Sequence, residues 1–487
     1  MIHRKAIDDT NDFDVVVVGG GPAGLLVAER LAAQRFRCSV LEAGPGPAAP
    51  LPACDLEGFR EAAAPLLGVD EGQWRFGTTA EALDWTRVRA LGGRSLVWGG
   101  WALRPDPQSL LDARAFGRPW PLRPLDLELH LTRVERLLAV REAELPPHFA
   151  QVGAALGLRV VAKRAALRPC GCCPFLALDR PSNTTLRTGA VALRVLLDGR
   201  GRTRGVEYID VVSGTSRAVR APFVVLASSP IETTRLLLQT ASGGPGGAHG
   251  LVGRGLVDHL IASFIVVLPV PASDVTPARA LERVAFVPRF VNLGRKQRRD
   301  YIGGFSLELH GPEPLLGLGG DALRALGIDA ADAAQQSCYL VHAMGEAAPG
   351  PGRRVELNPD ARDSLGRPVP VIHWSNDDND VRMARDMCET AIAICDALAL
   401  PGARVIPVRD PLTAPVLTHE AGTCAMGRDP RHAPCELSGQ LRGVPGLYLA
   451  DGSLMPSALD RPPTLTLLAL ALNTADCIVE SARSLAA

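Results

Sequence analysis

The stretch Asp14-Val15-Val16-Val17-Val18-Gly19-Gly20-Gly21-Pro22-Ala23-Gly24 decides the fold of this chain. Four consecutive valines predict a short strand enclosed on both faces, because β-branched residues suit a pleated, buried backbone. The glycine run predicts a tight turn, and a helical pattern follows over residues 25–34. A second apolar run, residues 38–41, ends in Glu42-Ala43-Gly44. Strand, glycine turn, helix and strand in this order form the first unit of a doubly wound, Rossmann-like dinucleotide-binding sheet. Gly19 permits the turn. Gly21 lets backbone N–H groups approach a pyrophosphate at the helix N-terminus, where Pro22 and Ala23 follow, and Gly24 lets helix and strand pack closely. Glu42, eighteen residues after Gly24, is placed with Ala43 to meet the ribose of an adenosine. Its charge would repel a 2′-phosphate, which argues against NADP.

The chain has 487 residues, more than one hydrophobic core supports, so two successive or intertwined domains are expected. Lys plus Arg (52) equals Asp plus Glu (52), which gives no bulk attraction for nucleic acid or anionic lipid. The apolar run at 465–472 is too short to span a bilayer, and residues 1–12 are charged without an apolar signal core. A soluble, cytoplasmic protein with no nucleic-acid and no membrane partner is therefore expected. The cysteines number 11, odd and scattered, which favours reduced thiols over a disulfide framework. Cys170, Cys172 and Cys173 cluster, but no second cysteine pair stands nearby at zinc-site spacing, so no metal is expected and a buried turn is the simpler reading.

Further along, Arg89-Ala90-Leu91-Gly92-Gly93-Arg94-Ser95-Leu96-Val97-Trp98-Gly99-Gly100 interleaves four glycines with bulky groups. Such a backbone can wrap closely around a large ligand, although a bulged strand beside a turn would read alike. Residues 45–85 read as loops with short helices, and 125–140 as a helix. Strands are expected within 191–212, beginning at Val191, and over 222–227, ending at Ala227; a helix follows over 231–239 and a glycine-rich loop over 243–250. Segments 260–270, 283–291 and 301–310 read as antiparallel strands, joined in one sheet by 338–344, 353–357 and 369–374. A helix over 381–398, a strand over 447–450 running into Asp451-Gly452, and a final helix over 464–484 complete the chain.

Taken in order, these segments resemble the glucose-methanol-choline (GMC) family of FAD-dependent oxidoreductases. The glycine turn, Gly92-Gly93-Arg94-Ser95, residues 227–238, Gly253-Arg254-Gly255-Leu256-Val257-Asp258-His259, residues 354–370, His419-Glu420-Ala421-Gly422-Thr423-Cys424-Ala425-Met426-Gly427 and residues 447–466 carry the resemblance. Trp98-Gly99-Gly100 is similar to the compact bacterial branch. The resemblance implies an α/β fold in which a Rossmann-like FAD-binding domain is joined to a substrate domain on a large, mostly antiparallel sheet. The segments expected are 1–110, 182–260 and 440–487 for the FAD domain, 111–181 for a lid or connecting region, and 261–439 for the substrate domain. It further implies FAD contacts from Gly92, Gly93, Ser95, Trp98, Gly99, Gly100, Val191, Ala227, Asp451, Gly452, Pro463, Thr464 and Leu465.

Alcohol oxidation by a flavin needs a base for the hydroxyl proton while hydride leaves carbon for flavin N5. His419 stands at the family's base position, with small residues after it that let it approach the flavin. Pro462 and Pro463 are pre-organised for a helix start, so free N–H groups of Thr464 and Leu465 could face the flavin edge that becomes negative on reduction. An ordinary proline-capped helix would use the same residues.

Two departures stand out. Where the family commonly carries a side-chain donor to the substrate oxygen this chain has Pro462, so another group must serve or His419 works alone; Asp460, Arg461, Glu308, His310 and His373 are candidates. Where covalently flavinylated members carry histidine this chain has Val97, so non-covalent FAD is expected. The activity expected is oxidation of an alcohol on a small molecule, with an unidentified electron acceptor. A primary alcohol on a sugar or aminocyclitol, as in aminoglycoside biosynthesis, fits acidic residues such as Glu308 and Glu346 that could pair with amines. A lyase or other non-redox enzyme that keeps FAD, or a flavoprotein scaffold without catalysis, is the alternative.

Overall fold

The four valines form β1 (Val15–Val18), and every one of them is buried. This computed structural model describes residues 7–8, 13–46, 76–81, 83–166, 182–240, 250–271, 283–294 and 297–486. Cys54, Cys170, Cys172 and Cys173 lie outside them, as does most of the 243–250 loop. Helix α1 (Pro22–Ala32) starts three residues earlier than its periodicity suggests, because Pro22 already holds the φ of a first helical turn. Its chain then returns as β2 (Cys38–Leu41), parallel to β1 in the register Val15↔Cys38. Burying each valine or leucine of this pair contributes about 1.5–3 kcal/mol, enough to pin the register.

β3 (Thr184–Arg187) adds in parallel on the outer side of β2. β4 (Ala190–Leu197), β5 (Thr203–Asp210) and β6 (Thr215–Arg220) make an antiparallel meander beside it. β7 (Phe223–Leu226) then pairs with β1 on its other side and leads into α2 (Pro230–Thr240).

A second sheet follows. β8 (His259–Leu268), β9 (Val284–Val287), β10 (Phe305–Pro314) and β11 (Ser337–Glu346) are antiparallel, and α3 (Asp378–Leu398) lies against them through Met383, Met387, Ala391 and Ile394. With β12 (Arg404–Arg409) the order is β12-β8-β11-β10-β9, completed by Val161–Ala162. Two of the strands expected here belong elsewhere. Arg354–Arg362 and Pro368–His373 form a hairpin that pairs in parallel with Gly77–Thr78 as a separate three-stranded sheet.

The chain finally returns to the first sheet. β13 (Leu447–Leu449) pairs in parallel with β7, which gives the order β13-β7-β1-β2-β3. Helix α4 (Thr464–Ala486) packs against α1 and the helix Pro124–Leu137. Among the described residues, Thr464–Leu485 is the one stretch long and apolar enough to cross a membrane, and most of it is buried in the core.

Candidate active site

A cavity of about 460 Å³ opens where the parallel strands end, the place such sheets bind ligands. Gly19, Gly21, Pro22 and Ala23 line it, with Glu42 and Ala43 on one side. Gly19 has φ +107, and a Cβ there would stand 2.3 Å from the Ala227 carbonyl oxygen, so only glycine fits. A Cβ on Gly21 would meet nothing within 4 Å, as a cradle open toward a ligand requires. Gly24 does not line the cavity; a Cβ there would lie 2.0 Å from the Gly19 carbonyl, so its part is the close helix–strand packing.

The Glu42 carboxylate accepts the N–H of Gly20 and of Gly44, each at 2.7 Å. It therefore ties the glycine turn to the end of β2 while facing the cavity. Burial pushes its pKa up, against those two bonds and the charge of Arg89.

Gly93, Ser95, Trp98, Gly99, Val191, Ala227, Asp451, Gly452, Pro463 and Thr464 also line the cavity. Gly92, Gly100 and Leu465 do not. Gly92 donates its N–H to the Gly20 carbonyl at 2.8 Å, and the Gly100 carbonyl accepts from Ala166 at 2.8 Å, so both shape the wall from behind. Leu465 is fully buried in the core. The Pro463 carbonyl accepts the N–H of Leu467, which makes Pro463 the N-cap rather than the first helical residue. The Asp451 carboxylate is held by Thr233 Oγ1 at 2.6 Å and by the Ser453 N–H at 2.9 Å, fixing this return segment to α2.

His419 is half-buried and lines the same cavity. Its backbone N–H donates to Asp258 Oδ2 at 3.2 Å, and its Nδ1 lies 3.1 Å from Nδ1 of His259. The other Asp258 oxygen accepts the His259 N–H at 2.6 Å. Burial, then the negative charge of Glu420, pushes Asp258 up to about 8. Burial lowers His259 to about 4, and burial, then the charges of His259 and Arg94, holds His419 well below the ordinary range. At neutral pH both rings are uncharged, as a proton acceptor must be.

Asp258, His259 and His419 are close enough to suggest a cation site among the described residues. Both Asp258 oxygens, however, are occupied by backbone N–H groups, and the ring nitrogens stand at hydrogen-bond distance. Residue types alone did not single out His259; its signal was the Asp258-His259 pair within the motif at 253–259.

Of the candidates to replace the missing donor at Pro462, His373 is excluded by its place in the three-stranded sheet, where its Nε2 meets Glu356 at 3.0 Å. Glu346 is fully buried, and burial pushes it up to about 8, so it offers no open carboxylate to an amine. Arg461 and Asp460 pair with each other at 2.8 Å. Glu308 and His310 stay on the sheet face that carries His259.

A family model described as GMC oxidoreductase matches residues 349–471, and one described as an NAD(P)-binding Rossmann-like domain matches residues 17–55. The chain is 28% identical to paromamine 6′-oxidase of Streptomyces fradiae, over 98% of this chain and 93% of that one.

The chain belongs to the GMC oxidoreductase family.

As a member of that family it is an enzyme that oxidises alcohols and takes FAD. Other GMC relatives include 6‴-hydroxyparomomycin C oxidase of Streptomyces lividus, 28% identical over 98% of this chain and 93% of that one. Among solved structures, pyridoxine 4-oxidase from Mesorbium loti has the same fold, with a TM-score of 0.67 at 20% identity over 96% of this chain and 99% of that one. Formate oxidase of Aspergillus oryzae also reaches a TM-score of 0.67, at 16% identity over 99% of this chain and 100% of that one. The open glycine cradle, the Glu42 carboxylate and the helix N-terminus at Thr464 suit an adenine dinucleotide carrying a flavin, so the residues present fit FAD.

Proposed function

We propose that this GMC enzyme oxidises the primary alcohol of an amino sugar or aminocyclitol in secondary metabolism, with FAD held non-covalently. The observation that carries the substrate class is Glu308. It is a cross-strand partner of His342, which in turn faces Ser263 on β8, so the three form one polar row. Ser263 and His259 share a strand face, and the Glu308 charge acts on the His259 ring. His310 Nε2 lies 3.3 Å from the Glu308 carboxylate. His342 accepts or donates at 2.8 Å to Ser263 Oγ, and burial lowers it to about 4, so it does not neutralise Glu308. The Lys163 ammonium donates to the Gly99 carbonyl at 2.7 Å and is also attracted by the Glu308 charge, so an incoming ammonium would share that carboxylate with it. A largely buried carboxylate attracts an ammonium more strongly than a surface one does. Two relatives that align over nearly all of this chain are named for oxidising aminoglycosides, which supports the same reading.

His419 receives the hydroxyl proton, and Asp258 and His259 hold it in place from backbone and ring. The free N–H groups at the start of α4, with the positive end of its dipole, favour negative charge at the cavity wall. FAD, when bound, supplies the two-electron acceptor. Val97 lacks the ring nitrogen that a covalent flavin link would use.

Anaerobic titration of the oxidised enzyme tests the proposal, with paromamine, its N-acetylated form, glucose and benzyl alcohol as probes. Paromamine is expected to bleach the visible flavin band fastest, and N-acetylation to slow it strongly. Equal bleaching by paromamine and glucose would overturn the amine assignment. A flavin reduced by dithionite but by none of the four would favour the non-redox reading.

A further inference from the structure

We infer that His259 is a positioning residue which fixes the tautomer of His419, protonated at Nδ1 and bare at Nε2, and that the strained carbonyl of Leu459 sets the state of His259 in turn. The inference rests on His419 being the proton acceptor and goes beyond the choice of substrate.

The chain of bonds admits one assignment. The Leu459 carbonyl lies 3.0 Å from His259 Nε2 and can only accept, so that nitrogen carries a proton. His259 is fully enclosed and uncharged, so its Nδ1 is bare and accepts. The nitrogen facing it at 3.1 Å, His419 Nδ1, must then be the donor. The two rings stand nearly perpendicular, at 87°, which is compatible with an N–H aimed at the in-plane lone pair of the other ring. Among the described residues no group bonds His419 Nε2, so its lone pair is left for a ligand in the cavity that His419 lines. A neutral histidine free in water prefers the other tautomer, so the bare Nε2 needs this partner to be populated. When His419 takes the substrate proton, its Nδ1–H bond to His259 becomes charge-assisted and strengthens.

Leu459 supplies the second, independent sign. It is a fully buried leucine at φ +66, in the left-handed region that a branched side chain seldom enters. Strain of this kind persists where the surroundings over-determine it and is concentrated at functional sites. Here it accompanies a carbonyl directed at a histidine 200 residues away in sequence. The same segment leads four residues later into Pro463 and the start of α4, so the helix N-terminus and the tautomer control belong to one rigid stretch.

The test uses the oxidised holoenzyme labelled with ¹⁵N-histidine and needs no substrate for its first reading. Long-range ¹H–¹⁵N correlation distinguishes the two tautomers, and the His419 signal is the one lost in His419→Gln. The expected result is an Nδ1-protonated His419 in the natural enzyme and in His259→Asn, whose side-chain oxygen replaces the accepting nitrogen. His259→Phe, which keeps a ring and removes the acceptor, is expected to switch His419 to the Nε2-protonated form. An Nε2-protonated His419 in the natural enzyme, or a His259→Phe variant that keeps the Nδ1 form, would overturn the proposal. So would a change in the His419 signal on dialysis against EDTA, because a cation would then occupy the place of the proton. Flavin reduction by paromamine supplies the kinetic reading, with a loss of roughly 10²–10⁴-fold in His259→Phe, recovery to within about tenfold in His259→Asn, and unchanged substrate affinity in both. If His259→Phe does not retain flavin, His259→Asn against His259→Gln, whose acceptor sits too far out, carries the comparison.

Discussion

Arg94 grips Glu420 through two parallel hydrogen bonds, Nη1 to Oε2 at 2.5 Å and Nη2 to Oε1 at 2.8 Å. The first of these nitrogens also donates to the Thr418 carbonyl at 2.6 Å. One guanidinium from the glycine-rich turn thus brackets His419 from both sides in sequence. The Glu420 side chain is wholly buried, so Arg94 is the counter-charge that makes its carboxylate tolerable. Arg94→Ala is expected to destabilise the enzyme by about 3–5 kcal/mol, and Arg94→Lys to recover little of it, because an ammonium cannot reproduce the paired geometry. Denaturant melts of the three proteins, each saturated with FAD, give the comparison. A loss below about 1 kcal/mol in Arg94→Ala would mean that the pair contributes little.

Replacing the acceptor itself should separate chemistry from binding. His419→Ala is expected to retain FAD and to slow flavin reduction by a saturating alcohol by about two to four orders of magnitude. Stopped-flow absorbance under nitrogen measures it, and near-normal reduction would move proton acceptance to another group.

The pH dependence follows from the sign of the histidine shifts. Burial and the charges of His259 and Arg94 disfavour the His419 cation, so the ring is mainly neutral at pH 6.5 and is protonated as pH falls well below that. His259, lowered to about 4, stays neutral over the same range. Asp258 changes charge only near pH 8, where it would begin to favour the His419 cation, so it leaves the window below untouched. The rate of flavin reduction should be flat between about pH 6 and 7. An acid limb with its midpoint at 6.5 or above would show that His419 titrates like an exposed histidine.

Glu42 couples the glycine turn to the end of β2 through two 2.7 Å bonds. Glu42→Gln replaces one accepting oxygen with an NH₂ that faces a backbone N–H, a cost of about 1–3 kcal/mol. FAD affinity, measured by fluorescence on rebinding to the apoprotein, should fall by roughly 5–150-fold. Unchanged affinity would confine Glu42 to a structural part outside the cofactor site.

Val97 makes the simplest prediction. Precipitation in trichloroacetic acid should leave a colourless pellet and a yellow supernatant, whereas flavin retained on the pellet would require a covalent link from some other residue.

What the sequence could express was local. The β1–α1–β2 unit was legible because each glycine answers a constraint met within a few residues, as Gly19 against Ala227 and Gly24 against Gly19 show. His419 was legible only through family resemblance. The hairpin of Arg354–Arg362 and Pro368–His373 was readable as strands but not as members of a particular sheet, because alternation names a face and not a partner. Its third strand, Gly77–Thr78, comes from nearly 300 residues earlier, and the meeting of His259 with His419 spans 160. Such pairings depend on how whole layers close over each other, and no window of sequence contains that information.

The order β13-β7-β1-β2-β3 has a consequence for biosynthesis. Four strands of the cofactor sheet leave the ribosome before residue 230, but the fifth, the Asp451–Gly452 turn, the Leu459 carbonyl and the α4 N-terminus all come after residue 446. A nascent chain therefore carries an incomplete parallel sheet with the β7 flank open until residues 447–449 emerge. Cofactor capture by the complete site must therefore wait until the return segment from Leu447 to Thr464 has been made and docked.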